Sequence, residues 1–337
     1  MKRILISRTD SIGDVMLTLP VCGVIKKFFP TCEIIFLGRT YTKAIADACE
    51  HIDLFLNYDE LEKNTIDDQI VLLKDLNVDI IIHVYPLKAI ANLAKKAKIP
   101  IRAGASGRWY HYLFCNKIVP LTRRRSNLHE AQLNLRLLQA IGIHEDLQLA
   151  EINTYYGWKP KATLRPELIN IIDKQRFNLI LHPRSKGSAR EWGLTNFSNL
   201  LDLLPESDFN VFVTGTAAEG EQISELFDHH PTLINLTGKL TLPEFIAFIS
   251  ESDGLIAAST GPLHIAAASG IIAIGIYPPI KPMHPGRWQP IGKFATALVK
   301  EKDCDRCRKT QSCQCMLEIT PIQVFNKLNE LNNERNR

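Results

Sequence analysis

Short apolar runs alternate with longer stretches of helical periodicity along the whole chain. Arg3–Ser7, Glu33–Leu37 and Asp79–His83 have the pattern of strands, and Ile99–Ala103 and Lys117–Val119 that of shorter ones. Val15–Phe29, which ends at Pro30, Tyr41–Ala48 and Asp67–Leu76 carry helical spacing between them. Unbroken apolar strands interleaved with helices predict a parallel sheet covered on both faces. A longer amphipathic helix is predicted over Asn127–Ile141, after the basic Arg123-Arg124-Arg125. From Gly142 to about Pro166 periodicity is poor and Tyr155, Tyr156, Gly157 and Pro160 accumulate, as in an interdomain linker. The rhythm then restarts. Phe177–Leu181, Phe209–Val213, Gly254–Ala258 and Ile271–Ile276 read as strands. Phe197–Leu204, Glu219–Phe227, Leu242–Ser250, Pro262–Ala268 and a final Pro321–Leu331 read as helices.

The chain is 337 residues long, which suits two cores better than one. The pattern divides it into an α/β domain over residues 1–160, a second over 161–320, and a C-terminal helix over 321–337. Two Rossmann-like halves bind ligands beyond the carboxyl ends of their strands. With 45% apolar and 23% charged residues the composition is that of an ordinary globular protein, and the net charge of +4 is mild. That charge suits an anionic substrate or a membrane surface and does not call for nucleic acid. The N-terminal apolar run is broken by Arg8 and Asp10, so it is no secretory signal. No stretch has the ~18–20 uninterrupted apolar residues of a membrane span. A cytoplasmic location is the expectation. Of eight cysteines, four fall in Cys304-x2-Cys307-x5-Cys313-x-Cys315. That cluster is open to a tetrahedral zinc site, reduced buried thiols or a disulfide.

Four turns after predicted strands carry chemistry. In Arg8-Thr9-Asp10-Ser11-Ile12-Gly13-Asp14, Gly13 permits a tight turn, and the amides at the following helix N-terminus favour an anion. Asp14 is either that helix's N-cap or a carboxylate presented to a ligand. The segment lacks the GxGxxG fingerprint, which argues against a dehydrogenase. The loop from His182 to Trp192 holds Arg184, Ser185, Lys186 and Arg190, suited to a diphosphate or to simple solvation. In Ser259-Thr260-Gly261-Pro262, Pro262 suits an early helical position, and the amides about Thr260 and Gly261 suit a phosphate. His264 either faces that ligand or is a hydrogen-bonded core residue. In Thr214–Glu221, Glu219 or Glu221 is either an acid for a ribose diol or a helix-start residue.

Taken in order, RTDSIGDVMLTLP, HPRSKGSAREW, NLTGKLTLPE and STGPLHIAAASG resemble the lipopolysaccharide heptosyltransferases of glycosyltransferase family 9, over roughly residues 1–287. The resemblance implies a GT-B fold, two Rossmann-like domains facing across a cleft, with the acceptor on the first and a nucleotide sugar on the second. It implies inverting transfer of a heptose from ADP-heptose to an anionic inner-core lipid-linked saccharide. Asp14 then falls on the general base and Arg8 on its cationic partner. Gly13 and Lys88 go to the acceptor, Arg190, Ser185 and Lys186 to the donor phosphates, and Glu219 to the ribose. Ser259, Thr260, Gly261 and His264 complete the donor set. Many family members have Asp where this chain has Ser259, so no metal and no other cofactor is expected. Peripheral contact with the inner face of the inner membrane is expected too. The alternatives are a family 9 transferase of another nucleotide sugar in O-antigen or capsule assembly, a nucleotide-sugar epimerase of the same fold, or a regulatory sugar-nucleotide-binding module.

Overall fold

The computed structural model describes residues 1–337 apart from 186, 188, 301–303, 305–306 and 309–312. It contains two compact units, Met1–Lys159 and Pro160–Arg337. The first is built on β1 (Arg3–Ser7), β2 (Glu33–Gly38), β3 (Leu54–Asn57), β4 (Ile80–His83), β5 (Ile101–Ala105) and β6 (Lys117–Val119). The second has β7 (Phe177–His182), β8 (Phe209–Val213), β9 (Ile234–Asn235), β10 (Gly254–Ala258), β11 (Ile272–Tyr277) and β12 (Ala295–Val299).

Both sheets are six-stranded, in the orders β3-β2-β1-β4-β5-β6 and β12-β11-β10-β7-β8-β9. All their strand pairs are parallel. Counted within each unit, both follow the Rossmann order, and the chain reverses direction of travel across the sheet between its first and fourth strands. At those reversal points Ser7 lies opposite His83, and His182 opposite Ala257. Ile4, Leu5 and Ile6 of β1 are fully buried, as are Leu179, Ile180 and Leu181 of β7. Burial on both faces explains why these strands read as continuous apolar runs rather than alternating ones.

Helices depart from the predicted ranges where backbone chemistry intervenes. The single helix predicted over Val15–Phe29 is two, Ile12–Met16 and Leu19–Phe28. Pro20 sits at the start of the second, where its missing N–H costs nothing, and it cannot continue the first. The Thr18 hydroxyl donates to the Asp14 carbonyl at 2.8 Å and occupies the first helix's end. Gly13 is inside that helix and not at a turn of positive φ, correcting the expected tight turn. Similarly, Asn127–Ile141 resolves into an α-helix, Glu130–Arg136, capped by His129, followed by a 3-10 turn over Leu137–Ile141. The strand predicted at Ile99–Ala103 starts two residues later, beyond Pro100.

The expected linker is not a free tether in its first part. Tyr156 is buried, Trp158 bridges to Cys49, and the Lys159 amide donates to the Ala48 carbonyl at 2.7 Å. This stretch belongs to the first unit. The C-terminal helix, Pro321–Arg335, places Val324, Leu328 and Leu331 in the second unit's core beside Trp192 and Phe197.

The helix Leu19–Phe28 packs closely on the first part of the expected linker. A Cβ added at Gly23 would stand 2.1 Å from the Tyr155 carbonyl oxygen. Gly23→Ala therefore forces backbone apart and is expected to cost about 1–3 kcal/mol. Calorimetry should show the loss in the melting of the first unit; an unchanged transition would contradict this packing.

Candidate functional site

In the first unit β1 ends at Ser7, and the next residue, Arg8, is buried. Its amide continues the sheet by donating to the Leu37 carbonyl at 3.0 Å. Its guanidinium, with the side chain only 3% exposed, meets three carboxylates. Nε donates to Asp10 Oδ1 at 2.6 Å, Nη1 to Glu130 Oε1 at 3.2 Å, and Nη2 to Asp14 Oδ1. Arg123 joins from outside, donating to Glu130 Oε1 at 3.0 Å and to Asn134 Oδ1 at 2.8 Å. Asn134 Nδ2 in turn donates to the Leu17 carbonyl at 3.0 Å, tying the network to the break between the first two helices.

Burial by itself would depress a guanidinium's pKa; here the surrounding carboxylates outweigh it and Arg8 is held still higher than usual. Burial, opposed by Arg8 and reinforced by Asp14, pushes the Asp10 carboxyl up to about 6. Asp14 and Asp10 are the partly exposed members of the set, with 18% and 22% of their side chains accessible, whereas Glu130 is buried. It is not the N-cap. Ser11 takes that place, and the Ser11 hydroxyl donates to Asp14 Oδ2. Lys88 begins the helix Lys88–Lys96 after β4, with its ammonium 5.1 Å from the Trp109 ring centre.

In the second unit the loop after β7 folds around Glu191. Arg184 Nη1 donates to Glu191 Oε2 at 2.7 Å, and the Ser185 amide and hydroxyl donate to Glu191 Oε1 at 3.1 and 3.2 Å. Part of its cationic charge is thus neutralised within the loop. Arg190 is half-buried, and its Nε has no hydrogen-bond partner among the described residues. Lys186 lies outside the described residues. The adjacent Trp192 is fully buried, stacks edge-on against Phe197, and donates its indole N–H to the Ile319 carbonyl at 2.7 Å.

The neighbouring turn after β10 supplies helix-terminal amides. Thr260 is the N-cap of Gly261–Ala268, but its hydroxyl caps nothing. That Oγ1 is buried and unpartnered among the described residues. Ser259 hydrogen-bonds with the buried Tyr277, and His264 lies buried on the helix. After β8, Glu219 Oε2 accepts from the Thr216 amide at 2.8 Å and from its hydroxyl at 2.9 Å, a capping box. This oxygen serves the helix start, whereas Glu221 is exposed. Gly238, at φ +70°, packs against Ala217 where a Cβ would collide at 2.7 Å, so the NLTG turn buttresses the same helix.

The structure therefore brings Arg8 and Asp14 together at one reversal point. Ser185, Arg190, Ser259, Thr260, Gly261 and His264 follow the paired strands β7 and β10 at the other. Sequence reasoning missed Asp10, Glu130 and Asn134. The last two are buried polar residues four apart on a helix whose Ala131, Leu133 and Leu135 are also buried. Such an i, i+4 polar pair on a core-facing helix was the available signal.

The sequence matches glycosyltransferase family 9 (heptosyltransferase) over residues 72–317. The chain belongs to this family. Among relatives of this family 9 transferase, a Haemophilus influenzae protein named only as a glycosyltransferase is 27% identical over 307 residues, 86% of each chain. The lipooligosaccharide heptosyltransferase 2 of the same organism is 24% identical over 353 residues, 97% of this chain and 99% of that one. The structure of Escherichia coli ADP-heptose lipopolysaccharide heptosyltransferase II superimposes with a TM-score of 0.78 at 17% identity, covering all of both chains. This family 9 member is thus a glycosyltransferase of GT-B fold, taking a nucleotide-sugar donor and a saccharide acceptor. No helix among the described residues is long and apolar enough to cross a membrane.

Each reversal point also holds a buried histidine. Burial, with His111 adding, pulls His83 down to about 3, and burial, opposed by Glu219, pulls His182 down to about 4. In the unfolded chain both titrate near 6.5, so below that pH the unfolded state binds protons that the folded state refuses. Their contribution to stability is complete above about 6.5 and is lost as pH falls towards 4. Urea unfolding at a series of pH values should show this acid slope, shallower in His83→Leu; an identical slope would rule out His83 as a source.

Proposed function

We propose that this transferase moves a heptose, with inversion, from ADP-heptose to an anionic inner-core lipid-linked saccharide, with Asp14 as general base. The observation that carries the reading is the grip of buried Arg8 on Asp14 at the end of β1. One carboxylate oxygen is fixed by the guanidinium, the other meets the hydroxyl of exposed Ser11, and both keep lone pairs for a proton. In this reading an acceptor hydroxyl takes the direction of the Ser11 hydroxyl. Asp14 accepts its proton as the oxygen attacks C1 of the donor sugar, and the bond from C1 to the diphosphate breaks. Arg8 is the positioning residue for that carboxylate. Gly13 and Lys88 are assigned to the acceptor.

The leaving diphosphate is assigned to the second unit. Arg190 supplies a bidentate cation, Ser185 and Lys186 the loop around it, and the amides at Thr260 and Gly261 the helix terminus. The Thr260 hydroxyl, unpartnered among the described residues, supports this assignment, as does its neighbour Ser259; His264 completes the set. Glu219 is assigned to the ribose. ADP-heptose is preferred because it stands in the name of the Escherichia coli enzyme whose fold this chain shares. We place the units as acceptor-binding and donor-binding, each with the boundary seen at Lys159.

Asp14→Asn should lower transfer by about 10²–10⁴-fold while leaving the donor-induced rise in melting temperature intact. Transfer near the wild-type rate would remove Asp14 as base. A panel of ADP- and UDP-sugars in the same thermal assay identifies the donor, and interconversion of free UDP-sugars without any acceptor would instead indicate an epimerase.

Peripheral membrane contact is supported by an apolar corner of the first unit. Trp109, Tyr112 and Leu113 are 65, 61 and 54% exposed beside Lys88. The transferase should co-sediment with vesicles containing phosphatidylglycerol, and Trp109→Ser with Tyr112→Ser should release it. Equal sedimentation of that double variant would exclude the corner.

A further inference from the structure

Four cysteines near the C-terminus take no part in the transfer chemistry described above. Cys307, Cys313 and Cys315 are buried in the second unit's core, and Cys304 is half-buried at its edge. A buried thiol is often only a small apolar side chain. Apolar packing, however, gives sulfur atoms no reason to converge, and these converge. The Sγ atoms of Cys304, Cys307 and Cys315 all lie within 4.8 Å of one another. The Cys307 sulfur is in hydrogen-bonding contact with those of Cys304, Cys313 and Cys315. Backbone amides are aimed at the same atoms. Those of Cys315 and Met316 approach Cys313 Sγ, and that of Cys315 also approaches Cys307 Sγ. N–H donors turned towards sulfur favour thiolate over thiol.

We infer that Cys304, Cys307, Cys313 and Cys315 form a closed four-thiolate site for a thiophilic divalent cation, Zn²⁺ or ferrous iron. Four sulfurs around one such ion, at about 2.3 Å each, stand about 3.8 Å apart, so those of Cys304, Cys307 and Cys315 need to draw in by at most about an ångström, and Cys313 joins from its contact with Cys307. All four cysteines are free thiols, and the ion displaces their protons as it binds. The C-x2-C pair supplies one half of the tetrahedron. The C-x-C pair supplies the other from an unusual position, with Cys313 as the N-cap of the short helix Gln314–Leu317 and Cys315 in its first turn. With four protein ligands the ion has no open position for substrate, so its role is structural.

The chain just beyond the cysteines is tied to the basic loop. The Leu317 carbonyl accepts from Asn196 Nδ2 at 2.9 Å, and the Ile319 carbonyl accepts from the Trp192 indole at 2.7 Å. Gly193, at φ +93°, would with a Cβ come 3.0 Å from Leu317 Cδ2. The metal clip therefore holds the strip of chain on which the far end of the Arg184–Trp192 loop is anchored.

The test uses the full-length protein purified without chelators. Plasma mass spectrometry should find about one zinc or iron per chain, and Cys304→Ser and Cys307→Ser should each retain roughly a tenth or less of it. Cys32→Ser, a buried cysteine of the first unit, should keep the full complement. If the cluster variants fail to fold, the wild type still decides. A mercurial should release one metal as four thiols react, and reloading with Co²⁺ should give the absorption of a tetrahedral cobalt–thiolate. Iron is distinguished from zinc by the elemental analysis and by colour; either supports the site. A folded wild type that takes up neither ion from excess under reducing conditions, or whose four cysteines are paired as disulfides, overturns it.

Discussion

A guanidinium shut off from water has to be surrounded by acceptors, and the architecture of the first unit follows from how Arg8 meets that demand. It sits one residue past the central strand, so its acceptors come from what the fold brings to that strand's end. Asp10 and Asp14 come from the adjoining turn and short helix, and Glu130 and Asn134 from a helix more than a hundred residues later. Breaking such a set by removing one partner strands the others in a poorly solvated place. The same interaction that fixes the long-range packing of the helix Glu130–Arg136 also orients Asp14, which with Asp10 is left partly open to solvent.

The two sheets share one strand order, yet the turns at their reversal points have opposite electrostatic character. After β1 the chain presents acids clustered on a buried cation; after β7 and β10 it presents arginines, a hydroxyl and helix-terminal amides. In the proposed reaction one scaffold thus serves an oxygen that must lose a proton and a diphosphate that must accumulate charge. Only the turns differ, in keeping with a fold that hosts function in loops grafted on a common frame.

Much of this was legible in the sequence. The buried strands announced themselves as unbroken apolar runs, and the turns after β1, β7 and β10 were conspicuous because charged residues, Gly and Pro interrupt such runs. Some features were hidden for physical reasons. β9 and β12 are a two-residue strand and a half-buried edge strand, too short or too mixed for a periodic signal. The break after Met16 depended on Pro20 being read as a helix start and not as a tolerated interior residue. Asp14 was open to the cap reading, which only the structure removes, because Ser11 takes that place. Glu219 kept part of its bland reading, since Thr216 claims one of its oxygens. Glu130 and Asn134 showed only as a polar pair on a core-facing helix, and nothing local connects them to Arg8; that link exists only through tertiary packing.

The indole of Trp192 has a further significance for anyone handling this protein. Of the four tryptophans, Trp109 is largely in water, whereas Trp192 is wholly enclosed, bonded to the Ile319 carbonyl and set against Phe197. Enclosed and exposed indoles emit at different wavelengths, so the chain carries its own optical gauge at the junction of the basic loop and the C-terminal strip. Loosening of that junction reddens the emission even while both sheets stay intact, and the event is visible without attaching a dye.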